Sequence, residues 1–154
     1  MKLSSVVVFF VTYAAFLVSG FLFRIDLVYY NALVKPSWTP PGSVIGIVWA
    51  VLFACISLAV ALLDAKIGIA NMGTWLWVML LANWFFNQAY SYLQFVRKDW
   101  LFAAFDSGLI ALTAVAFIVL AWRVSRASGW LFVPYALWAS FATYLTAVVW
   151  GLNR

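Results

Sequence analysis

Long apolar segments alternate with short polar ones along the whole chain, and the apolar segments have similar lengths. They cover residues 3–23, 43–63, 74–96, 100–122 and 128–150. A helix needs about 20 apolar residues to cross the hydrocarbon core of a bilayer. The segments are continuously apolar rather than alternating, which argues against a transmembrane β-barrel. The pattern predicts an all-α membrane protein, a five transmembrane helix bundle in a single domain over residues 1–154.

The longest interruption of this pattern is loop 1, residues 24–42, between the first two predicted spans. Tyr29 and Tyr30 lie in a part of the loop that can form a short helix at the membrane interface. Three of the four prolines then follow in Lys35-Pro36-Ser37-Trp38-Thr39-Pro40-Pro41-Gly42. Each proline restricts its own φ and disfavours helix at the preceding residue. We predict a rigid aromatic lid between two membrane spans.

Composition and charge narrow the possible functions. The chain is 68% hydrophobic and 8% charged, and its net charge of +5 comes from basic residues placed singly or in pairs at the ends of the spans. This placement suits lipid headgroups rather than nucleic acid. Cys55 is the only cysteine, so no internal disulfide forms. Histidine and glutamate are absent from the sequence, which argues against His-ligated haem, histidine acid–base catalysis and most metal sites.

The third predicted span carries a polar face. Asn83, Asn87, Tyr90, Ser91 and Gln94 recur at helical spacing on one side, and Gln88 lies beside them. Carboxamides facing lipid are costly, so this face is expected to point inward. Two interpretations stay open. The face forms either hydrogen bonds between helices, worth about 1 kcal/mol or less each, or the polar wall of a pocket.

Asp106 is the only acidic residue well inside a predicted span. A carboxyl group within a membrane is a functional hypothesis by default, because an unpaired charge there is costly. Three roles stay open for it: a contact to a ligand, a hydrogen bond that locks two spans together, and proton-coupled transport.

Four of the ten tryptophans do not lie near the ends of the spans, where an interfacial aromatic belt would place them. Trp49, Trp84 and Trp138 lie inside spans, and Trp38 lies in loop 1. Either they pack in the core, or they line a flat aromatic pocket.

These residues together resemble the TspO/translocator protein family, also called tryptophan-rich sensory protein or peripheral-type benzodiazepine receptor. The resemblance is carried by Trp38-Thr39-Pro40-Pro41-Gly42, by Asn83-Trp84 and by Pro134-Tyr135-x-x-Trp138-x-x-Phe141-Ala142-Thr143, together with Trp49 and Asp106. It covers essentially the whole chain and is strongest to Bacillus-type bacterial members. It implies a pocket capped by loop 1, residence in the bacterial cell membrane as a multi-pass protein, and a homodimer.

The resemblance also implies ligands and roles. The expected ligands are tetrapyrroles such as protoporphyrin IX and isoquinoline-carboxamide or benzodiazepine-type compounds, with no required cofactor and no metal. In some bacterial members bound porphyrin is broken down in light, which makes Trp49 and Trp138 the candidates for photo-oxidation. The implied ligand-binding positions are those two and Tyr30, Pro40, Phe53, Asn83, Asn87, Gln88, Ser91, Asp106 and Ala142. We expect Trp38 to anchor the lid rather than to touch ligand.

The sequence departs from the family pattern at several positions. Asn87-Gln88 replaces a Trp-Ser or Pro-Pro pattern, Phe53 replaces a common tyrosine, and Thr146 replaces a common asparagine. No basic residue follows Tyr144 within five positions, which argues against sterol recognition. Two other functions stay open: a proton-coupled small-molecule exporter that uses Asp106, and a ligand-free stress-signalling membrane subunit.

Overall fold

The computed structural model describes residues 2–154, and within that range the chain is helical and contains no β-strand. Six α-helices form in this range, with a 3-10 turn at Ile69–Asn71 and a π-helical segment at Tyr92–Val96. The α-helices are α1 (Leu3–Leu22), α2 (Leu27–Ala32), α3 (Gly42–Ile67), α4 (Thr74–Ser91), α5 (Trp100–Trp122) and α6 (Arg126–Leu152).

Side chains cap the starts of three helices. Asp26 Oδ1 accepts a hydrogen bond from the backbone N–H of Tyr29 at 3.0 Å, and this starts α2 within loop 1. Asp99 does the same for α5, and Ser125 for α6. Such caps satisfy backbone donors that have no partner inside the helix. The short helix expected near Tyr29 and Tyr30 is therefore α2.

The end of α3 differs from the expected span, which stopped at residue 63. The helix continues to Ile67 because Asp64 does not face water. Its carboxylate is buried and accepts hydrogen bonds from Ser4 Oγ at 2.9 Å and Ser5 Oγ at 2.8 Å, which ties α3 to α1. Gly68 then ends the helix at a φ of 80°, which glycine adopts without steric cost.

The long helices pack in a closed ring, in which α1 contacts α3, α3 contacts α6, α6 contacts α5, α5 contacts α4, and α4 contacts α1. The α5–α6 contact is the most extensive. Ala103, Ala114 and Ala139 are fully buried, and such small side chains let neighbouring helices approach closely. The rings of Phe117 and Phe132 stack with their centroids 4.1 Å apart in the same interface.

Within the described part of the chain, four helices are long and apolar enough to cross a membrane: α1, α3, α5 and α6. The predicted third span, residues 74–96, contains α4 and the π-helical segment. It is less apolar because Asn83, Asn87 and Gln88 fall within it. The all-helical architecture agrees with the sequence prediction, whereas the assignment of α4 as a further span stays a prediction.

Candidate functional site

A cavity of about 660 Å³ lies between α1, α3, α4 and α6, near one end of the ring. Residues of loop 1 and Trp100, the first residue of α5, complete its wall. Its size falls within the range of small-molecule sites, which run from about 300 to 1,000 Å³. The cavity therefore adjoins the C-terminal ends of α1, α4 and α6 and the N-terminal end of α3.

The structure brings seven of the eleven predicted ligand-binding residues to this cavity. They are Tyr30, Trp49, Phe53, Asn87, Ser91, Trp138 and Ala142. The other four, Pro40, Asn83, Gln88 and Asp106, are not among its lining residues, and Thr39 lines it next to Pro40. The placement divides the predicted residues into those that face the cavity and those that lie elsewhere in the bundle.

One wall of the cavity is aromatic. The ring of Trp49 on α3 lies 6.4 Å from that of Trp138 on α6, centroid to centroid, at an interplanar angle of 84°. Phe53 lies 5.5 Å from Trp49, and Phe141 lies 5.2 Å from Trp138. All four residues line the cavity. The two indoles thus form a corner of crossed rings, which presents both a face and an edge to the interior.

The indole N–H of Trp138 is buried in this wall without a hydrogen-bond partner among the described residues. By contrast, Trp84 Nε1 donates to the backbone oxygen of Ala15 at 2.9 Å, and Trp100 Nε1 donates to Tyr29 Oη at 2.9 Å. Buried indole N–H groups usually find an acceptor. The Trp138 N–H is therefore an exception among the buried indoles, and its ring rather than its N–H is what lines the cavity.

The opposite wall is polar and comes mainly from α4. Asn87, Tyr90, Ser91 and Gln94 line the cavity at helical spacing. Tyr90 Oη lies 2.9 Å from Thr146 Oγ1 on α6, in a hydrogen bond that either hydroxyl can donate. The wall therefore offers amide and hydroxyl groups to the polar edge of a ligand.

The π-helical segment shapes this polar wall. In it the backbone N–H of Arg97 donates to the oxygen of Tyr92 at 3.0 Å, five residues earlier. The wider turn occurs where Gln94 and Phe95 line the cavity. Such wide turns within helices recur at functional sites. The periodicity of the sequence predicts a regular α-helix here and did not reveal the change.

Asn83, one turn before Asn87, belongs to a different environment. Its Nδ2 donates to the backbone oxygen of Ile110 and to Thr113 Oγ1, both at 2.9 Å and both on α5. Its Oδ1 accepts from Tyr135 Oη on α6 at 2.9 Å. Every bond of this side chain therefore joins helices. The polar face thus joins helices at Asn83 and lines the cavity from Asn87 onward.

Asp106 and Gln88 are buried polar groups away from the cavity. Asp106 Oδ2 and both polar atoms of the Gln88 side chain have no hydrogen-bond partner within residues 2–154. Unpartnered buried groups of this kind are costly and need an explanation. The structure gives neither residue a hydrogen bond that would lock two helices together.

Loop 1 is attached to the rest of the chain on two sides of the cavity. Beside α5, Lys98 Nζ forms a salt bridge of 2.8 Å with Asp26 Oδ2. The hydrogen bond from Lys98, together with that from the backbone of Tyr29, holds the pKa of Asp26 below its ordinary value. Beside α6, the backbone N–H and C=O of Val34 pair with the Asn153 side chain at 2.9 and 2.8 Å.

Trp38 provides the third attachment of loop 1. Its ring stacks on Tyr144 with centroids 5.7 Å apart and an interplanar angle of 12°, and it meets the edge of Phe141 at 5.9 Å. Trp38 itself is not among the residues that line the cavity. Its contacts hold loop 1 against α6.

Several lining residues were not predicted as site residues. Gly42, Gly46 and Ala50 recur at every fourth position of α3 and line the cavity next to Trp49. A Cβ added to Gly42 or Gly46 would meet no atom within 4 Å. The spacing of these small residues beside an internal tryptophan could have indicated the cavity from the sequence, because small side chains on one helix face leave room for a ligand.

Comparisons with known proteins extend over this whole region. The model of the TspO/MBR family matches residues 6–151. The chain is 46% identical over 153 residues to Tryptophan-rich protein TspO of Bacillus cereus, with 99% of each chain covered. It is 44% identical over 146 residues to Uncharacterized membrane protein YtaB of Bacillus subtilis, covering 95% of this chain and 94% of that protein. Translocator protein of Homo sapiens is 30% identical over 145 residues, covering 90% of this chain and 83% of that protein.

Proposed function

This chain belongs to the TspO/MBR family, and from that premise we propose that its cavity binds flat tetrapyrroles such as protoporphyrin IX. The same cavity is proposed to accept isoquinoline-carboxamide and benzodiazepine-type ligands. The observation that carries the proposal is the pairing of an aromatic wall, Trp49 and Trp138, with a polar wall on α4. The resemblance inferred from the sequence motifs is itself confirmed by the family match.

A planar ring with polar groups at its edge fits this division of the walls. One of the two indoles can stack its face on an extended π-system, while the other, at 84° to it, meets that system with its edge. Asn87 and Gln94 present amide groups to the edge of such a ring. The sequence contains no histidine to ligate iron, which favours a metal-free porphyrin over haem.

The architecture proposed around this cavity is a five-span bundle. In it α1, α3, α5 and α6 cross the membrane together with α4 and its π-helical segment, and loop 1 caps the cavity. The attachments of loop 1 to Lys98, Asn153 and α6 support the cap. We propose that the protein resides in the bacterial cell membrane, because a Bacillus relative is named a membrane protein. We also propose that it forms a homodimer, as the family resemblance implies.

Binding serves either the transport of tetrapyrroles or their breakdown in light. Transport is favoured by the name of the human relative, Translocator protein. For light-dependent breakdown, the photoexcited porphyrin would take one electron from Trp49 or Trp138 and pass it to dioxygen, which becomes superoxide. Superoxide would add to a methine carbon of the ring, and the adduct would return one electron to the indole radical cation. A carbon–carbon bond of the ring then breaks with both oxygen atoms in the product, so that the net reaction consumes one porphyrin and one dioxygen. The aromatic contact between the two indoles supports that electron-donor role.

Tryptophan fluorescence titrated with protoporphyrin IX tests the proposal, first in darkness and then in light. We expect saturable quenching that weakens in Trp138→Phe but not in Trp75→Phe, because Trp75 is exposed at the start of α4 and outside the cavity. Quenching that does not saturate would reject tetrapyrrole binding and leave the ligand-free signalling subunit. Saturable quenching without a photoproduct would leave transport and reject breakdown.

A proton-coupled exporter is the second candidate, because Asp106 is buried with an oxygen that has no partner within residues 2–154. Substrate uptake into proteoliposomes under an imposed pH gradient tests it. The exporter requires that the gradient drive uptake and that Asp106→Asn abolish the driven part. Uptake that responds to neither change rejects coupling through Asp106, whatever the result of the quenching titration.

A further inference from the structure

A second, open cleft of about 880 Å³ lies at the opposite end of the ring from the ligand cavity. It is lined by the end of α3, the last turns of α5 and the start of α6. Three of its residues are basic: Lys66, Arg123 and Arg126. No acidic residue lines it.

The positive charge of the cleft is not balanced by the protein. The one salt bridge within residues 2–154 joins Lys98 to Asp26 near the other end of the ring. The nearest acid in sequence, Asp64, directs its carboxylate elsewhere. Its Oδ2 accepts from Ser4 and Ser5, and its Oδ1 accepts from the backbone N–H of Ile69 at 2.8 Å.

The start of α6 adds to this positive potential. Arg126 is the first residue of α6, and the first turn of that helix contains no acidic side chain. A helix N-terminus carries a partial positive charge, so a cation placed there is disfavoured unless an anion compensates it. Arg126 therefore adds to the positive potential at this end of the ring rather than offsetting it.

The remainder of the cleft is apolar and firmly built. Ile118, Val119 and Trp122 on α5 line it. A Cβ at Gly129 would lie 2.7 Å from Cε3 of Trp122, so the absence of a side chain there lets the indole pack directly on α6. The Trp122 ring also contacts that of Trp130 at 5.1 Å. The cations therefore lie at the end of an apolar wall that runs along a membrane-length helix.

We propose that this cleft binds the phosphate headgroup of an anionic phospholipid, with an acyl chain against Ile118 and Val119. The cleft has basic side chains at one end and apolar side chains along the rest of its length. This arrangement suits an amphipathic lipid better than a soluble anion. Basic pockets at the ends of transmembrane helices hold such headgroups in other membrane proteins. The site is separate from the tetrapyrrole cavity and does not depend on the function proposed for that cavity.

Native mass spectrometry of the full chain in detergent tests the proposal with three probes: phosphatidylglycerol, phosphatidylcholine of the same chain length, and inorganic phosphate. We expect phosphatidylglycerol to be retained in preference to phosphatidylcholine. Loss of each basic residue should weaken phosphatidylglycerol binding about fivefold. The triple variant Lys66→Gln/Arg123→Gln/Arg126→Gln should therefore bind this lipid about a hundredfold more weakly. Inorganic phosphate should not displace the lipid.

Two control variants separate the site from net charge and from folding. Arg24→Gln/Arg97→Gln/Arg154→Gln removes the same charge away from the cleft and should keep the lipid preference. Lys66→Arg/Arg123→Lys/Arg126→Lys keeps the charge in the cleft and should also keep the preference for phosphatidylglycerol. If the first control loses as much phosphatidylglycerol binding as the cleft variant, general attraction to positive charge explains the binding and the site is rejected. Displacement by inorganic phosphate, or no preference for phosphatidylglycerol in the unaltered chain, would overturn the lipid assignment.

Discussion

Tyr135 Oη lies 2.9 Å from Asn83 Oδ1 and donates a hydrogen bond to it, which joins α6 to α4 in the interior of the ring. The same hydroxyl accepts from Asn87 Nδ2 at 3.3 Å, and Asn87 lines the cavity. The Tyr135 ring lies 6.0 Å from that of Trp49. One side chain therefore connects the helix-joining part of the polar face to both walls of the cavity.

Removing this hydroxyl is expected to destabilise the fold. Tyr135→Phe keeps the ring but leaves the buried Asn83 Oδ1 without its donor, and an unsatisfied buried group costs about 1–3 kcal/mol. We expect a loss near 1 kcal/mol in the free energy of unfolding, because hydrogen bonds between membrane helices average somewhat less than those in water-soluble proteins. Unfolding in a denaturing detergent measures it. Tyr144→Phe, at an exposed ring, should be neutral, and equal effects in both variants would contradict the role of the network.

Filling the cavity should abolish binding without harming the fold. A leucine at Gly46 would project into the cavity, since a Cβ there meets nothing within 4 Å. We expect at least a tenfold loss in affinity for protoporphyrin IX and an unchanged or higher melting temperature, because glycine is a poor helix former. Gly151→Leu is the matched control, at an exposed helical position outside the cavity lining. Full binding by Gly46→Leu would place the ligand elsewhere.

The attachment of loop 1 to the end of α6 should control ligand release. Asn153→Ala removes both hydrogen bonds to the backbone of Val34. We expect faster hydrogen exchange at the Val34 amide, because the loop loses two of the hydrogen bonds that hold it in place. We also expect protoporphyrin IX to dissociate several-fold faster. Asn71→Ala, which removes a hydrogen bond to Ile67 at the other end of α3, serves as the control. A dissociation rate unchanged in Asn153→Ala would show that loop 1 does not limit release.

Acid should loosen the attachment of loop 1 to Lys98. Hydrogen bonding from Lys98 lowers the pKa of Asp26 in the folded protein, so the pair stabilises the folded state above the unfolded pKa, about 3.9. That contribution is lost as pH falls through the still lower folded pKa. Asp26→Asn should keep the cap on α2 and remove the charge. We expect its melting temperature to lie slightly below that of the unaltered chain at pH 6, and the difference to begin to shrink below about pH 4.

High salt should reduce the same difference at pH 6, because the pair is exposed to solvent and its attraction is screened. A difference that does not shrink as the pH falls below about 4, or that is insensitive to salt, would show that the substitution acts through packing rather than through charge.

The helices and the family were predictable from the order of residues along the chain. Apolar segments near 20 residues long leave few alternatives to membrane helices, since hydrocarbon leaves no water to satisfy an exposed backbone. The motifs around Trp38, Trp49 and Trp138 were sufficient to recognise the family. Three-dimensional packing was not needed for either conclusion.

Which polar residues face the cavity was decided only by tertiary packing. Asn83 and Asn87 lie on one face of α4, but Asn83 meets Ile110 and Tyr135 from neighbouring helices whereas Asn87 reaches the cavity. Helical periodicity specifies the face of a residue, not what a neighbouring helix places opposite it. Asp106 on α5 and Gln88 beside the polar face of α4 have buried polar atoms and yet lie outside the cavity lining. The depth of each side chain along the bundle, set by how the helices pack, separates a helix contact from a binding residue.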